Sequence, residues 1–301
     1  MADTVRGSIM CDEDTVREND RSLARGQLSR RRFTASAATI AAVVALLPRT
    51  ANAASVAEAD VNVPTPDGTA DCYFVHPVQG ATAAVIIWPD IVGLRPAFRA
   101  MGKRLAEAGY AVLVVNQYYR TARAPVVPAG ASFQDPQTRE TLMGFARTLS
   151  PATNAIDAKA FVAYLDAQPA VDARRRIGTA GYCMGGPITI RSAAAVPARI
   201  GACASFHGGG LVTDKPDSPH LLLASTQASY LIAIAANDDE REPAAKEALR
   251  KASAAAGRPA EIEVYAGAMH GWCPPDSAVY NPVQAERAWS RMLALFTTAL
   301  A

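Results

Sequence analysis

The stretch that decides the fold is Arg176-Ile177-Gly178-Thr179-Ala180-Gly181-Tyr182-Cys183-Met184-Gly185-Gly186-Pro187. Residues 176–180 read as a strand, and a helix-compatible segment follows Pro187, a residue that the first turn of a helix tolerates. Glycines two positions before and two positions after Cys183 let the backbone turn sharply between strand and helix. This order predicts a nucleophile elbow with Cys183 at its tip, where the helix N-terminus would favour a thiolate.

Apolar runs and helical segments alternate on both sides of this turn. Runs such as Ala84-Val85-Ile86-Ile87 are typical of strands buried on both faces of a parallel sheet. The pattern predicts a mostly parallel, doubly wound α/β sheet flanked by helices, with the site at the carboxyl ends of the strands. Residues 121–132, with Pro125 and Pro128, are the most loop-like and are expected to cover or line that site. The strands are predicted at 70–75, 83–88, 111–116, 176–181, 201–206, 230–236 and 261–265, and the helices at 95–108, 155–167, 243–256 and 282–300.

The first 53 residues differ in composition from the rest. Ser29-Arg30-Arg31-Arg32-Phe33 precedes an apolar run at 35–47, and Ala51-Asn52-Ala53 gives small residues at a cleavage-like spacing. That order is typical of an export signal of the twin-arginine type, and the apolar run is shorter than the roughly 20 residues that span a bilayer. We therefore expect a periplasmic or secreted protein that meets the membrane only transiently during export, with one domain at 54–301.

Composition limits the partners and cofactors. The chain has 301 residues, of which 50% are hydrophobic and 19% charged, and its net charge of +2 gives little support for nucleic-acid binding. Its five cysteines form no C-x-x-C pair, and neither a metal-ligand spacing nor a dinucleotide-binding glycine pattern occurs in the sequence. The sequence predicts no metal and no cofactor, and it leaves the pairing of Cys72, Cys203 and Cys273 and the oligomeric state open, with a monomer favoured.

The chain also supplies partners for Cys183 in a suitable order. His270 follows the strand predicted at 261–265, where the histidine of an elbow-containing hydrolase belongs. The acid should follow the strand at 230–236, where Asp238 and Asp239 are adjacent; Asp238 comes first and is favoured, while Asp239 stays open. His207, in Phe206-His207-Gly208, is interpreted as packing near the site, where it could contact a substrate.

These residues, together with Trp88-Pro89-Asp90-Ile91-Val92-Gly93-Leu94 and His270-Gly271-Trp272, resemble the dienelactone hydrolase family. The resemblance covers about residues 61–300 and implies an α/β-hydrolase fold. It implies Cys183, His270 and Asp238 as the catalytic triad, and the backbone N–H groups of Ile91 and Met184 as the oxyanion hole. It adds Trp272 to the residues expected around the site.

The resemblance also implies two charged auxiliary residues. Asp90 stands where the family typically has a glutamate that helps to activate the cysteine, and the shorter side chain reaches less far. Arg120 matches one of two arginines that bind the substrate carboxylate in the family, whereas Pro274 occupies the position of the other.

The activity implied is hydrolysis of an ester or lactone of the carboxymethylenebutenolidase type, through a thioester on Cys183. The substrate would be a small molecule. Two alternatives from other classes are a non-catalytic, ligand-binding homologue and a redox-sensing thiol protein. The substitution of Pro274 for an arginine leaves the natural substrate open.

Overall fold

One mixed sheet of eight strands organises the chain, in the order β1-β2-β4-β3-β5-β6-β7-β8. The structure, a computed structural model, describes Asn19 and residues 53–301, so the basic and apolar segments of the predicted export signal lie outside the described residues. Strands β3 to β8 run parallel to one another, and β1 and β2 add an antiparallel edge. The strands are β1 Val56–Thr65, β2 Gly68–Pro77, β3 Ala84–Trp88, β4 Ala111–Val114, β5 Ile177–Tyr182, β6 Ile200–Phe206, β7 Ser229–Ala235 and β8 Ala260–Tyr265.

Helices cover both faces of this sheet, so the predicted α/β architecture is confirmed. Apolar side chains of α1 and α8 pack on one face, and those of α3, α4 and α7 pack on the other. Alternate residues of β3 divide between the two cores, with Ile87 on the first face and Ile86 on the second, as strand geometry requires. The helices are α1 Pro96–Glu107, α2 Pro136–Ala146, α3 Pro151–Asp166, α4 Gly185–Ala195, α5 Pro219–Leu222, α6 Ala236–Arg241, α7 Ala245–Ala255 and α8 Pro282–Ala299.

Several elements differ from the sequence prediction, including the short helices α5 and α6, which were not predicted. Strand β1 was not predicted because it is an edge strand whose residues are mostly exposed, so it lacks an apolar run. Helix α2 was not predicted either; it begins where the Asp135 carboxylate accepts the Thr138 N–H. Helix α3 begins at Pro151 rather than at residue 155, because Ser150 and Thr153 form a capping box.

The described part of the chain has three further properties that concern function. Between residues 53 and 301, no helix is long and apolar enough to cross a membrane. Within the same range, no group of three or more His, Cys, Asp or Glu side chains converges as a metal site. The thiols of Cys72, Cys203 and Cys273 are free and buried.

Candidate active site

Cys183 lies in the turn between β5 and α4, at the carboxyl end of the sheet. Its φ of 54° places it in the left-handed region, which costs a non-glycine residue about 1–3 kcal/mol and occurs most often at functional sites. Its backbone N–H donates to the carbonyl oxygen of Phe206 at 3.0 Å, so the turn is anchored to β6. The predicted strand, sharp turn and helix are therefore present, with only 4% of the Cys183 surface exposed.

The glycines around Cys183 permit contacts that no side chain would allow. A Cβ atom on Gly181 would lie 2.1 Å from the Gly185 carbonyl oxygen, and one on Gly185 would lie 2.3 Å from the Trp88 carbonyl oxygen. On Gly186 it would lie 2.6 Å from the Cα of Gly208. The motif thus packs backbone against backbone at the crossing of β3, β5, β6 and α4.

We expect Gly181→Ala to lower the free energy of unfolding by about 3 kcal/mol or more, since the new methyl group must displace backbone. Gly144→Ala is the matched control, because a Cβ at Gly144 in α2 meets no atom within 4 Å. That change should leave stability unaltered or raise it by up to about 1 kcal/mol. Urea unfolding measures both, and an unchanged midpoint for Gly181→Ala would contradict the close approach of residues 181 and 185.

His270 connects Cys183 to a carboxylate. Its Nε2 lies 3.2 Å from the Cys183 Sγ, and its Nδ1 lies 2.8 Å from the Asp238 Oδ2. Burial alone would lower the pKa of His270, but the charges of Asp238 and Cys183 outweigh it and raise that pKa well above its usual range. The arrangement favours a proton on the imidazole and negative charge on its two neighbours.

Of the two candidate acids, Asp238 is the one beside His270. It lies in the first turn of α6, directly after β7, and its second oxygen accepts a hydrogen bond from Arg241 at 3.1 Å. Asp239 points away and pairs with Lys246 at 2.7 Å. The neighbouring Asn237 fixes the backbone of the histidine, because its Oδ1 accepts the His270 N–H at 2.8 Å.

Ile91 and Met184 lie together beside Cys183, in one apolar cluster. The hydroxyl of Tyr118 ties them to each other: it donates to the Ile91 carbonyl oxygen at 2.9 Å and lies 3.0 Å from the Met184 Sδ. Neither the Ile91 nor the Met184 N–H donates to another described backbone group. Two amide donors next to the thiol suit the binding of an oxyanion.

His207 supports the turn from behind. Its φ of 41° is also in the left-handed region, its Nδ1 accepts from the Cys183 N–H at 3.1 Å, and its ring lies 5.0 Å from that of His270. Burial lowers the pKa of His207 well below its usual range, and the His270 charge adds to this. The lowered pKa favours the neutral imidazole. The residue is 1% exposed. Its contacts include the nucleophile turn, through the Cys183 N–H.

Asp90 does not contact Cys183 in the way that the resemblance implies. Its two oxygens accept from the Arg95 guanidinium at 2.7 and 2.9 Å, and one of them also accepts the Val92 N–H. Arg95 binds Asp276 as well, at 2.6 and 2.9 Å. The short Asp90 side chain thus ties the loop containing Ile91 to the loop that follows His270.

Arg120 and Trp272 also have surroundings that differ from those that the resemblance implies. The Arg120 guanidinium donates to both oxygens of buried Asp157, at 2.6 and 2.9 Å, and to Asp67. Each of its three nitrogens therefore already donates to one of the protein's own carboxylates. Trp272 is 0% exposed and packs against His207 and Tyr265, so it is a core residue beneath the site rather than one that faces a substrate.

An apolar cover closes over the thiol from one side. We use this name for the residues of the 126–133 loop and of α2 that pack in one cluster with Cys183. The loop-like stretch predicted to cover the site supplies the first part, and α2 supplies the second. The members of the apolar cover are Val126, Val127, Phe133, Leu142, Met143, Phe145 and Ala146.

Four supporting residues were not predicted from the sequence. Tyr118 follows β4, Asn237 precedes Asp238, and Arg95 and Asp276 come from loops 181 residues apart. Adjacency to Asp238 was a usable signal for Asn237. Tyr118 lies two residues before Arg120, which the sequence singled out. Nothing in the sequence links Arg95 to Asp276.

Comparison with known proteins identifies one family over most of the described chain. The sequence model of the dienelactone hydrolase family matches residues 70–300. The match contains Cys183, His270 and Asp238, whereas Asn19, whose amide donates to the His270 carbonyl oxygen at 3.2 Å, lies outside it.

Individual relatives agree with that match. A Synechocystis protein provisionally designated a carboxymethylenebutenolidase is 28% identical over 232 residues, covering 76% of this chain and 91% of its own. The carboxymethylenebutenolidase of Rhodococcus opacus is 25% identical over 220 residues, covering 72% and 81%. A crystal structure from Klebsiella pneumoniae, provisionally described as a dienelactone hydrolase, superposes with a TM-score of 0.69 at 25% identity, covering 81% of this chain and 99% of that one.

Proposed function

This chain belongs to the dienelactone hydrolase family and has the α/β-hydrolase fold, and we propose that it cleaves an ester or lactone with Cys183 as the nucleophile. Hydrolysis of small-molecule esters or lactones follows from the family; the cysteine mechanism is our inference. The observation that carries it is the unbroken contact from Asp238 through His270 to the Cys183 sulfur, at 2.8 and 3.2 Å.

The first half of the proposed reaction forms a thioester. The Cys183 thiolate attacks the substrate carbonyl carbon, and the oxygen that becomes negative binds to the N–H groups of Ile91 and Met184. Collapse of this tetrahedral intermediate breaks the bond to the leaving oxygen. The His270 imidazolium, stabilised by Asp238, gives that oxygen its proton, so the alcohol leaves neutral.

The second half releases the acid. Neutral His270 takes a proton from water as the water oxygen attacks the thioester carbonyl. The same two N–H groups bind the oxyanion again, and collapse expels the sulfur as thiolate. Cys183 and protonated His270 are thereby restored, and the products are a carboxylic acid and an alcohol, joined in one molecule when the substrate is a lactone.

Alkylation by iodoacetamide tests the thiolate–imidazolium pair. The full-length protein is used with Cys11→Ser, which removes the one cysteine that lies outside the described residues. The raised pKa of His270 keeps its proton in place as the pH rises through the usual histidine range, so Cys183 should react at a nearly constant rate between about pH 6 and 8. An ordinary thiol, with a pKa near 8.5, loses roughly tenfold in rate for each unit below it.

The remaining thiols give little background in this experiment. Burial raises the pKa of Cys72 to about 12, and it also raises the pKa of Cys203 and of Cys273. The same protein with Cys183→Ala is the control and should not be labelled. A rate that rises tenfold per unit up to about pH 8.5 would contradict the proposed ion pair.

A further inference from the structure

The surroundings of the thiol limit what can be attached to a substrate carbonyl. Leu142 and Ala146 are buried in one cluster with Cys183, and Val126, Phe133 and Met143 pack against it. A substrate group that reaches Cys183 from this side meets hydrocarbon and sulfur atoms. An ionised carboxylate placed there would lose its hydration without gaining a charged partner, which is strongly unfavourable.

The arginine expected to compensate such a charge is not available. Arg120 contacts both oxygens of Asp157, whose side chain is 0% exposed, and Asp67 accepts from its Nε and Nη2. To bind a substrate carboxylate, it would have to leave Asp157 as an unpaired buried charge, which is costly. Arg120 is thus part of the fixed framework between β4 and α3.

A second set of charged residues near the site, Asp90, Arg95 and Asp276, is negative overall. Asp90 and Asp276 bind one guanidinium, that of Arg95, so the group carries two negative charges and one positive. Burial would lower the pKa of Arg95, but the two carboxylates outweigh it and raise that pKa. The group belongs to the loops that carry Ile91 and follow His270, so its net charge opposes an anionic substrate.

One further cation lies on the same helix as the apolar cover. Arg139 of α2 is half-buried, and its charge acts on Asp135 at the exposed start of the helix. Hydrogen bonds from Thr138, with a smaller contribution from Arg139, lower the pKa of Asp135. The charge of Arg139 therefore acts on a carboxylate of its own helix, at the solvent end of α2.

From these contacts we propose that the site selects esters or lactones whose acyl part is uncharged and apolar, and discriminates against substrates that carry a carboxylate. The inference rests on the proposed hydrolase function and names the substrate class of that same site. The sequence resembles a family pattern in which two arginines bind the substrate carboxylate. In this chain Arg120, at the first of these positions, is bound to Asp157, and Pro274 occupies the second.

Two esters of equal chain length test this selection: p-nitrophenyl butyrate and mono-p-nitrophenyl succinate, which differ by a terminal carboxylate. With the uncatalysed release of p-nitrophenolate subtracted, which the succinate carboxylate itself accelerates, kcat/KM should be at least about 100-fold higher for the butyrate ester, since the described residues of the apolar cover include no cation. Equal values, or a preference for the succinate ester, would overturn the inference while leaving hydrolysis established. If neither ester is cleaved, the proposed function fails and the inference fails with it.

A lysine introduced into α2 should weaken the preference for the uncharged ester. Met143→Lys places an ammonium group within the apolar cover and should reduce the preference for the butyrate ester about tenfold. Thr141→Lys, on the exposed side of the same helix, is the matched control and should leave the ratio unchanged. Urea unfolding confirms that both variants fold, and the two-ester comparison on the natural protein stands without them. A preference for the succinate ester that disappears in Arg139→Gln would also overturn the inference, by assigning anion binding to Arg139.

Discussion

Replacing Cys183 by alanine should reduce kcat/KM for p-nitrophenyl butyrate by about 10⁴-fold or more, because loss of the nucleophile removes the covalent pathway. His270, Asp238 and the two amide donors stay in place, so only the residual stabilisation of a direct attack by water remains. Release of p-nitrophenolate under single-turnover conditions measures the loss. With substrate in excess, the natural protein should show an initial burst of up to one p-nitrophenolate per chain, because the thioester forms before it is hydrolysed.

Cys72→Ala is the matched control for this substitution. Cys72 is a buried thiol of β2, in the core on one face of the sheet, and its removal should leave kcat/KM within about threefold. Unfolding curves of both variants should lie close to that of the natural protein. Hydrolysis at the natural rate by folded Cys183→Ala would refute Cys183 as the nucleophile.

The second large effect is expected for Asp238→Asn, which should lower kcat/KM about 10²- to 10⁴-fold, as loss of the orienting carboxylate does in other triads. The Asp238 charge is the largest of the influences that raise the pKa of His270, so its removal lowers that pKa. Because this pKa is lower, a smaller fraction of His270 is protonated at pH 7, and a smaller fraction of Cys183 is present as thiolate. The plateau of the alkylation rate should therefore move to higher pH.

Asp239→Asn is the matched control, because it removes one carboxylate from α6 and leaves Asp238 beside His270. Asp239 contacts Lys246 and not His270, so this variant should keep kcat/KM within about threefold and leave the alkylation profile where it is. A merely structural role for Asp238 would lower stability without moving that profile. Equal losses in the two variants, or a larger loss for Asp239→Asn, would assign the acid to Asp239.

The elbow was predictable because its signal is local. Gly181, Cys183 and Gly185 are neighbours in the chain, and their spacing reflects close backbone contacts within one turn. The positions of His270 and of the pair at 238–239 followed from chain order, since each comes directly after a strand. Chain order could not choose between Asp238 and Asp239, because both follow β7 and only the start of α6 orients one of them toward His270.

The charged residues show where a sequence pattern stops being informative. Arg120 and Asp90 match family positions by their distance from a strand, yet their roles depend on which opposite charge lies nearest in space. Asp157 lies 37 residues from Arg120, and Asp276 lies 181 residues from Arg95. Ion pairs of this kind join distant segments, so neither periodicity nor motif spacing records them.

The sequence alone determined a mostly parallel α/β sheet, a cysteine at the tip of a nucleophile elbow, and a histidine and an acid in the order required for a triad. Those features arise from hydrophobic periodicity and glycine placement, which are properties of short segments. Only the tertiary structure decided that Asp238 holds His270, that Tyr118 joins Ile91 to Met184, and that Arg120 is bound to Asp157. Those features depend on which side chains meet when the sheet and its loops assemble, and there Cys183 lies under an apolar cover instead of beside a free arginine.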